Sequence, residues 1–434
     1  MSSPLNVAVV GGGIAGLVAA LGFVQAQKQE GKNVTVSVYE SAAKFGEIGA
    51  GPNAGRALKT LGLGSALQKS SGEDRDQPEK WFDFHVGEST HGKAGEYICT
   101  VGSHLVPGLN VGTNTNVHRA DFLSNLVDLL PEGLAHFHHR CSSYTPHKDG
   151  ITLHFATDPP TSAEADVVIA SDGIKSNLRK HLFTRLGLDL ELQTARYSEW
   201  IAWRGLIPRD AYEAAMGKGA SAKQMLLGRG RHILTFPVRS GALINIVGFV
   251  RDPEHLKLGD KTGPWTEERP HSEMLEDYAT FTPEILAMLK AIEKPSIWGI
   301  FALPPFDTIT DERIVLIGDA AHGMTPHQGS GAGQAIEDAL FVSKILSHDS
   351  VSSSDPTARA GAIKKALQVY ADVRVKRGLE VARTSYEAGL LYEFQGANGE
   401  GSDVEKIKAS LVTRLEWIWE YDEEKVLAEA LARL

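Results

Sequence analysis

The stretch NVAVVGGGIAGLVAA, residues 6–20, decides the fold. Val7 to Val10 is an apolar, β-branched run of strand length that stops in three consecutive glycines. Gly11, Gly13 and Gly16 satisfy G-x-G-x-x-G, with Ala15 inside the motif, and Leu17 to Gln27 continues in a helical pattern. The three glycines serve different mechanical needs, namely a tight turn, close backbone approach to a pyrophosphate, and close packing of helix on strand. The helix start offers free N–H groups and the positive end of its dipole to phosphates. NVTVSVYE, residues 33–40, alternates as a strand does and closes on Glu40, 24 residues beyond Gly16, where an acid accepts the ribose hydroxyls of an adenine dinucleotide. The unit is βαβ, and the right-handed crossover makes its strands parallel. An acid here disfavours a 2′-phosphate on the bound nucleotide but leaves NAD and FAD both open.

Composition narrows the class. The 434 residues suffice for two or three regions around a large core. A net charge of −10, without any basic run beyond a pair or so, argues against a nucleic-acid partner. Cys99 and Cys141 are too few and too far apart for a disulfide framework or a zinc site, which fits a reducing compartment. The first strand ends in glycines and is too short for a signal peptide, and no run has the apolar length of a membrane span. A cytosolic protein is expected, with neither metal nor membrane.

Beyond the opening unit, residues 73–80 read as a polar loop, 81–86 and 97–101 as strands, and 118–130 as a helix with Phe122, Leu126, Leu129 and Leu130 on one face. Strands follow at 151–156 and 166–170. Residues 190–300 hold short strands such as RHILTFPV and ALINIVGFV, then a charged, turn-rich stretch at 258–271 and a helix at 272–292. RIVLIGDAAH runs a strand into a turn, GAGQAIEDALFVSKIL is a helix, 349–356 is a Ser-rich linker, and the remainder is mostly helical. This order predicts an α/β fold. A Rossmann-like dinucleotide domain is expected from residues 1–72, 117–185 and 296–346, an inserted β-sheet substrate domain from 73–116 and 186–295, and a C-terminal helical region from 347–434.

Two further segments single out flavin. VVIASDGIKSNLR (167–179) and RIVLIGDAAHGMTPHQGSGAGQAIEDA (313–339) resemble two fingerprints of the single-component FAD-dependent aromatic hydroxylases. The resemblance implies that Asp319 bonds the ribityl chain of FAD. It also implies that the helix opening at Gly331 and Ala332 aims its N–H groups at the flavin N1/O2 edge. Reduced flavin is negative at N1, a charge that a helix N-terminus stabilises. Asp172 stands in ASDG where the family reads GADG, and the resemblance gives it a part in flavin and pyridine-nucleotide binding. Arg119, in VHRADF (117–122), would contact the cofactor; as a mere helix-start cation it would oppose the helix dipole.

Over nearly its whole length the chain is similar to the salicylate hydroxylases. VHRADF, HILTFPVR (232–239), LIGDAAH, PHQGSGAGQ and TRLEWIWEYD (413–422) carry the likeness. Phe236 stands where related dearomatising hydroxylases tend to have Tyr. The resemblance implies FAD as cofactor, NADH or NADPH as co-substrate, and O2 trapped as a flavin C4a-hydroperoxide that hydroxylates a phenolic acid. The reaction it implies first is salicylate to catechol with release of CO2. Such chemistry needs a base near the phenol, and histidine titrates in the right range. His327, in the loop between the Asp319 turn and the flavin-facing helix, is nominated as the phenol's partner, and His232 for orientation or proton relay. Met225 and Phe236 are expected as apolar walls, with Pro326 beside His327. Arg204 and Arg251 could each hold a carboxylate in a bidentate grip, and the sequence does not rank them. Where the family carries extra residues between GAG and PNA, Gly51 here runs directly into Pro52, which shortens a loop near the isoalloxazine ring. Another hydroxybenzoate, a hydroxynicotinate or a polyketide phenol stays open as substrate, as does a non-catalytic flavin-fold protein that binds a partner. A homodimer through the C-terminal helices is a further expectation.

Overall fold

In the computed structural model, residues 3–43, 52–64, 80–88, 94–102, 125–239, 241–254, 265–352 and 355–434 are described. The strands are β1 (Leu5–Val10), β2 (Val34–Tyr39), β3 (Lys80–Val86), β4 (Tyr97–Gly102), β5 (Ala135–His136), β6 (Cys141–His147), β7 (Gly150–Phe155), β8 (Thr161–Ala165) and β9 (Val167–Ala170). They continue with β10 (Arg196–Pro208), β11 (Gln224–Gly228), β12 (Arg231–Val238), β13 (Leu243–Arg251), β14 (Thr266–Glu268), β15 (Ser296–Ala302), β16 (Thr310–Asp311) and β17 (Ile314–Leu316). The helices are α1 (Ile14–Glu30), α2 (Pro52–Thr60), α3 (Asn177–Leu186), α4 (Arg209–Met216), α5 (His271–Asp277), α6 (Pro283–Lys290) and α7 (Asp319–His322). α8 (Gly331–Leu346), α9 (Pro356–Tyr392), α10 (Val404–Thr413), α11 (Glu416–Trp419) and α12 (Glu423–Leu431) complete them.

A six-stranded sheet in the order β16-β17-β9-β1-β2-β5 carries the opening motif. β1 pairs in parallel with β2 on one side and β9 on the other, as the crossover rule requires. Val7, Val9, Val167, Val168 and Ile169 are wholly buried, the mark of a sheet covered on both faces. α1 packs on α8, and Gly22 permits their close approach: a Cβ there would lie 2.4 Å from the Ser343 hydroxyl. The small sheet β6-β7-β8 joins β1 and β9 through contacts from β7 and β8.

The second sheet, in the order β14-β15-β10-β13-β12-β11-β3-β4, is antiparallel except for β11 on β3. From Trp200 onward in β10, and along β12 and β13, side chains alternate between the two faces. Ile201, Trp203, Ile233, Ile244 and Ile246 point to one face, where α4, α5 and α6 cover them with Tyr212, Met274, Ile285 and Met288. The opposite face carries Trp200, His232, Phe249 and Met225, brought into rows by the pairings Trp200↔Arg251, His232↔Phe249 and Leu227↔His232. That second face looks toward the C-terminal end of α9.

Several sequence expectations change. The helix read at 272–292 is two helices: α5 ends at Asp277, and Pro283 at the first turn of α6 restarts the spiral. Between them Tyr278 is fully buried and donates its hydroxyl to the Phe249 carbonyl. Of the helix read at 118–130, residues 118–124, with Arg119 and Phe122, lie outside the described residues. The remainder is helical only over 125–127, and Leu129 is exposed. The second sheet runs on through β15 to Ala302, past the expected boundary at 295. α4 and the strands β6 and β8 are additions to the expected elements. Gly49 to Gly51 and residues 73–79 and 258–264 also lie outside the described residues. Among the described residues no helix is long and apolar enough to cross a membrane.

Candidate active site

The three motif segments meet at the C-terminal ends of β1, β9 and β17. Gly11 has φ +104°, and a Cβ on it would lie 2.3 Å from the Ser171 carbonyl oxygen, so the first motif packs backbone to backbone on the second. Ser171 donates its hydroxyl to the Val10 and Gly11 carbonyls at 2.9 and 3.0 Å. Gly16 is equally confined, since a Cβ would strike the Gly11 carbonyl. Ala15 lies against Gly318 of the third motif. Arg179, fully buried, ties the second motif to the third by donating to the Ala320 carbonyl at 2.9 Å.

Around this junction some positions face open space. A Cβ on Gly13 or Gly331 would meet nothing within 4 Å. α8 starts behind Ser330 without a side-chain cap, so its first N–H groups stay available, and Ala332 is half-buried in the same turn. Asp319 is exposed at the start of α7 and accepts no hydrogen bond from the described residues. Glu40 stands at the end of β2, with Oε2 accepting from the Gly12 N–H at 2.6 Å and Oε1 from the Ala42 N–H at 2.7 Å. Asp172 is placed differently. Its carboxylate accepts from Ser176 Oγ at 2.5 Å and from the Asn177 and Leu178 N–H groups, so it serves as a cap for α3.

Across the junction lies the second face of the large sheet, closed by the 323–330 loop and the end of α9. His327 is 3% exposed, and its ring sits 4.8 Å from Trp200, 4.8 Å from Phe249 and 5.3 Å from His232. Neither of its ring nitrogens has a hydrogen-bond partner among the described residues. Burial, then His232 and Arg251, holds it well below the usual histidine range, so it is neutral. His232 is fully buried, stacked on Phe249, with Nδ1 3.0 Å from Glu393 Oε1 and Nε2 unpartnered among the described residues. Met225 is buried and Phe236 half-buried on the same face, while Pro326 is exposed beside His327.

The two arginines separate here. Arg251 lies over the Trp200 ring at 4.5 Å, and its Nη2 donates to Glu199 at 2.6 Å. Glu199 occupies a β-bulge in β10 with φ +68°, a distortion that turns its carboxylate to this guanidinium. The remaining Nη1 is buried with no partner among the described residues. Arg204 lies on the same face but four residues along β10, about 13 Å away at ~3.3 Å per residue. It is stacked on Trp298 at 4.9 Å instead.

Comparison with known proteins agrees with this geometry. Residues 133–351 match the FAD binding domain family. The chain is 37% identical to a salicylate hydroxylase of Pseudomonas putida, covering 99% of this chain and 95% of that one. It is 33% identical to the 6-methylsalicylate 1-monooxygenase of Aspergillus terreus, over 99% and 92% of the two chains. A solved salicylate hydroxylase substrate complex superposes with a TM-score of 0.83 at 34% identity, covering 99% of this chain and 98% of that one.

The chain belongs to the single-component FAD-dependent aromatic hydroxylases. The hydroxylase uses FAD to put oxygen from O2 onto a small aromatic substrate. Its residues fit the cofactor: open space at Gly13 and Gly331, an uncapped helix start, and a carboxylate free at Asp319. Sequence reasoning missed what holds these parts rigid. Arg374 of α9, 1% exposed, donates to Asp338 at 2.7 Å, Glu337 at 2.6 Å and Gln334 at 2.8 Å, all on α8. Arg377 grips Glu337 with two further bonds, and Asp338 in turn accepts from the Gly318 N–H and pairs with His322 at 2.6 Å. The signal was present as adjacent acids in a predicted core helix, which need cations because a lone buried charge is costly.

Proposed function

We propose that this hydroxylase acts on salicylate, placing oxygen at the carboxylate-bearing carbon, so that CO2 departs and catechol remains. The observation that carries this reading is the set of buried polar atoms on one apolar face that have no partner among the described residues: Arg251 Nη1 and both nitrogens of His327. A cation and a neutral imidazole in an aromatic enclosure suit a ring bearing one carboxylate and one hydroxyl. The activities of the Pseudomonas and Aspergillus relatives support the same class. Bound FAD, reduced by NADH or NADPH, supplies the activated oxygen; Glu40, Gly11, Gly13, Ala15, Gly16, Asp319, Gly331, Ala332 and Arg119 are the residues assigned to hold it. Asp172 acts on that site indirectly, by fixing α3. His327 orients the phenol's hydroxyl, Arg251 anchors the carboxylate, and Trp200, Met225, Phe236, Phe249 and Pro326 keep water from the reacting carbon. Arg204 is left to the sheet surface.

In this reading the FAD-binding domain takes residues 1–72, 117–185 and 303–346, with the substrate sheet extended to Ala302 because β15 pairs with β10. A homodimer through the C-terminal helices and a cytosolic location complete it; exposed Trp417 and two buried free thiols support these. Purified protein should be yellow, oxidise NADH faster with salicylate than without, and form catechol and CO2 in step. Flavin-loaded enzyme that ignores salicylate and yields no catechol would overturn the substrate assignment. A ring-substituted salicylate belongs in the same panel, since Gly51 runs directly into Pro52 where the family carries extra residues.

A further inference from the structure

Glu393 was not singled out by the sequence, and it occupies an unfavourable place. It follows the last residue of α9, where the helix dipole opposes a negative charge, and it is wholly buried. Its Oε1 accepts from Trp200 Nε1 at 2.7 Å and faces His232 Nδ1 at 3.0 Å. Thus one oxygen binds side chains from β10 and β12 on the face that holds His327. The other, Oε2, is buried without a partner among the described residues, and so is His232 Nε2 on the far side of the imidazole. A structural tie between helix and sheet needs only a neutral amide; a carboxyl group in this position costs desolvation without evident return.

We propose that Glu393 is a positioning residue that holds the His232 proton on Nδ1, leaving Nε2 as the acceptor for the substrate's ring hydroxyl proton. The inference rests on the reading of this face as the phenol site. In the step, the substrate O–H bond breaks with its electron pair left on oxygen, and an N–H bond forms at His232 Nε2. The charge gained by the imidazole is balanced by the Glu393 carboxylate across the Nδ1–H bond. The proton returns to the ring oxygen once aromaticity is restored. His327, which has no such partner among the described residues, orients the hydroxyl.

The ionisation of the pair sets a pH dependence. Burial pushes the Glu393 carboxyl up to about 8, against the Trp200 hydrogen bond and the Arg251 and Arg231 charges, and burial drives His232 down to about 3. The other groups bearing on the pair are His327 from the loop, Tyr278 from the helical layer behind the sheet, and Tyr386 and Tyr392 of α9. As pH rises through the Glu393 value the carboxylate forms, and His232 becomes the stronger base.

The test uses flavin-loaded enzyme and a nitro-substituted salicylate whose phenolate absorbs in the visible. Wild type should lower the bound probe's apparent pKa by about one unit or more, and Glu393→Gln, which keeps both hydrogen bonds to Oε1, should abolish most of that shift. Glu393→Gln should also lose the rise in product per NADH around pH 8. Identical probe titrations in the two proteins, even with reduced FAD content or melting temperature in the variant, would make Glu393 purely structural. Should the variant not fold, an unshifted probe in wild type alone overturns the proposal. Wild type that ionises the probe but does not hydroxylate salicylate retains this inference and loses the substrate assignment; hydroxylation with an unshifted probe does the reverse.

Discussion

At the scale of single residues, the proposed site keeps Arg251 Nη1 and both His327 nitrogens without partners among the described residues, where a substrate would satisfy them. His327→Ala should keep FAD bound and keep NADH oxidation, yet drop catechol formed per NADH by about tenfold, since the substrate hydroxyl loses the hydrogen bond of ~1.5 kcal/mol that orients it. Wild-type coupling in that variant would remove His327 from the mechanism. Arg251→Gln should weaken salicylate binding by about ten- to a hundredfold, as expected for losing a hydrogen bond of ~1.5–3 kcal/mol to a charged group, while Arg204→Gln should leave it near wild type. Asp319→Ala should purify with less flavin, read from the visible absorbance per protein; undiminished flavin would refute its role. His327 was legible because its loop joins two recognisable motifs. The choice between Arg204 and Arg251 was not, because strand alternation puts both on one face. What distinguishes Arg251 is the bulge at Glu199, which turns a carboxylate to it, and nothing in the run RYSEW announces a positive φ at that residue.

At the scale of elements, α9 positions the site by what it omits. Gly378 and Gly389 lie eleven residues apart, three helical turns, and so share a face. A Cβ on Gly378 would lie 2.9 Å from the His322 ring, and one on Gly389 would lie 2.7 Å from the His327 ring. Each notch seats a histidine. Gly389→Ala gains about 1 kcal/mol of helix propensity but must displace His327. It should therefore lower coupling toward the level of His327→Ala while costing little thermal stability, and unaltered coupling would show that the notch does not set the ring. The βαβ opening, the Asp319 strand and α8 were legible because hydrophobic period and glycine spacing agree there. The notches were not, because a glycine inside a long helix marks no boundary and names no partner. Glu393 carries a local signal, an acid at a helix C-terminus, but sequence does not reveal that both its oxygens are buried.

At the scale of the whole molecule, α9 is bolted to α8 by buried charges, and this bolt has a predictable pH response. For Asp338 burial alone would raise the carboxyl, but His322 and Arg374 hold it well below the usual range. For His322 burial alone would lower the ring, but Asp338 more than reverses this and holds it above its ordinary value. The acid's contribution is present above its unfolded value near 3.8 and is lost as pH falls through the lower folded value. The histidine's contribution is present below about pH 6.5 and is lost as pH rises through its raised folded value. Melting temperature followed by differential scanning should therefore decline on the alkaline side of about pH 6.5, and His322→Gln should flatten that decline; an equal slope in both proteins would exclude His322 as its source. Arg374→Met tests the same bolt from the cation. It strips the cation from Asp338 Oδ1 and leaves Glu337 with only the Arg377 cation, so it should cost about 3 kcal/mol. It should also speed flavin loss, because the Gly318 turn and the start of α8 are held through those two acids. A variant that melts earlier yet retains flavin as wild type does would confine the network to stability alone.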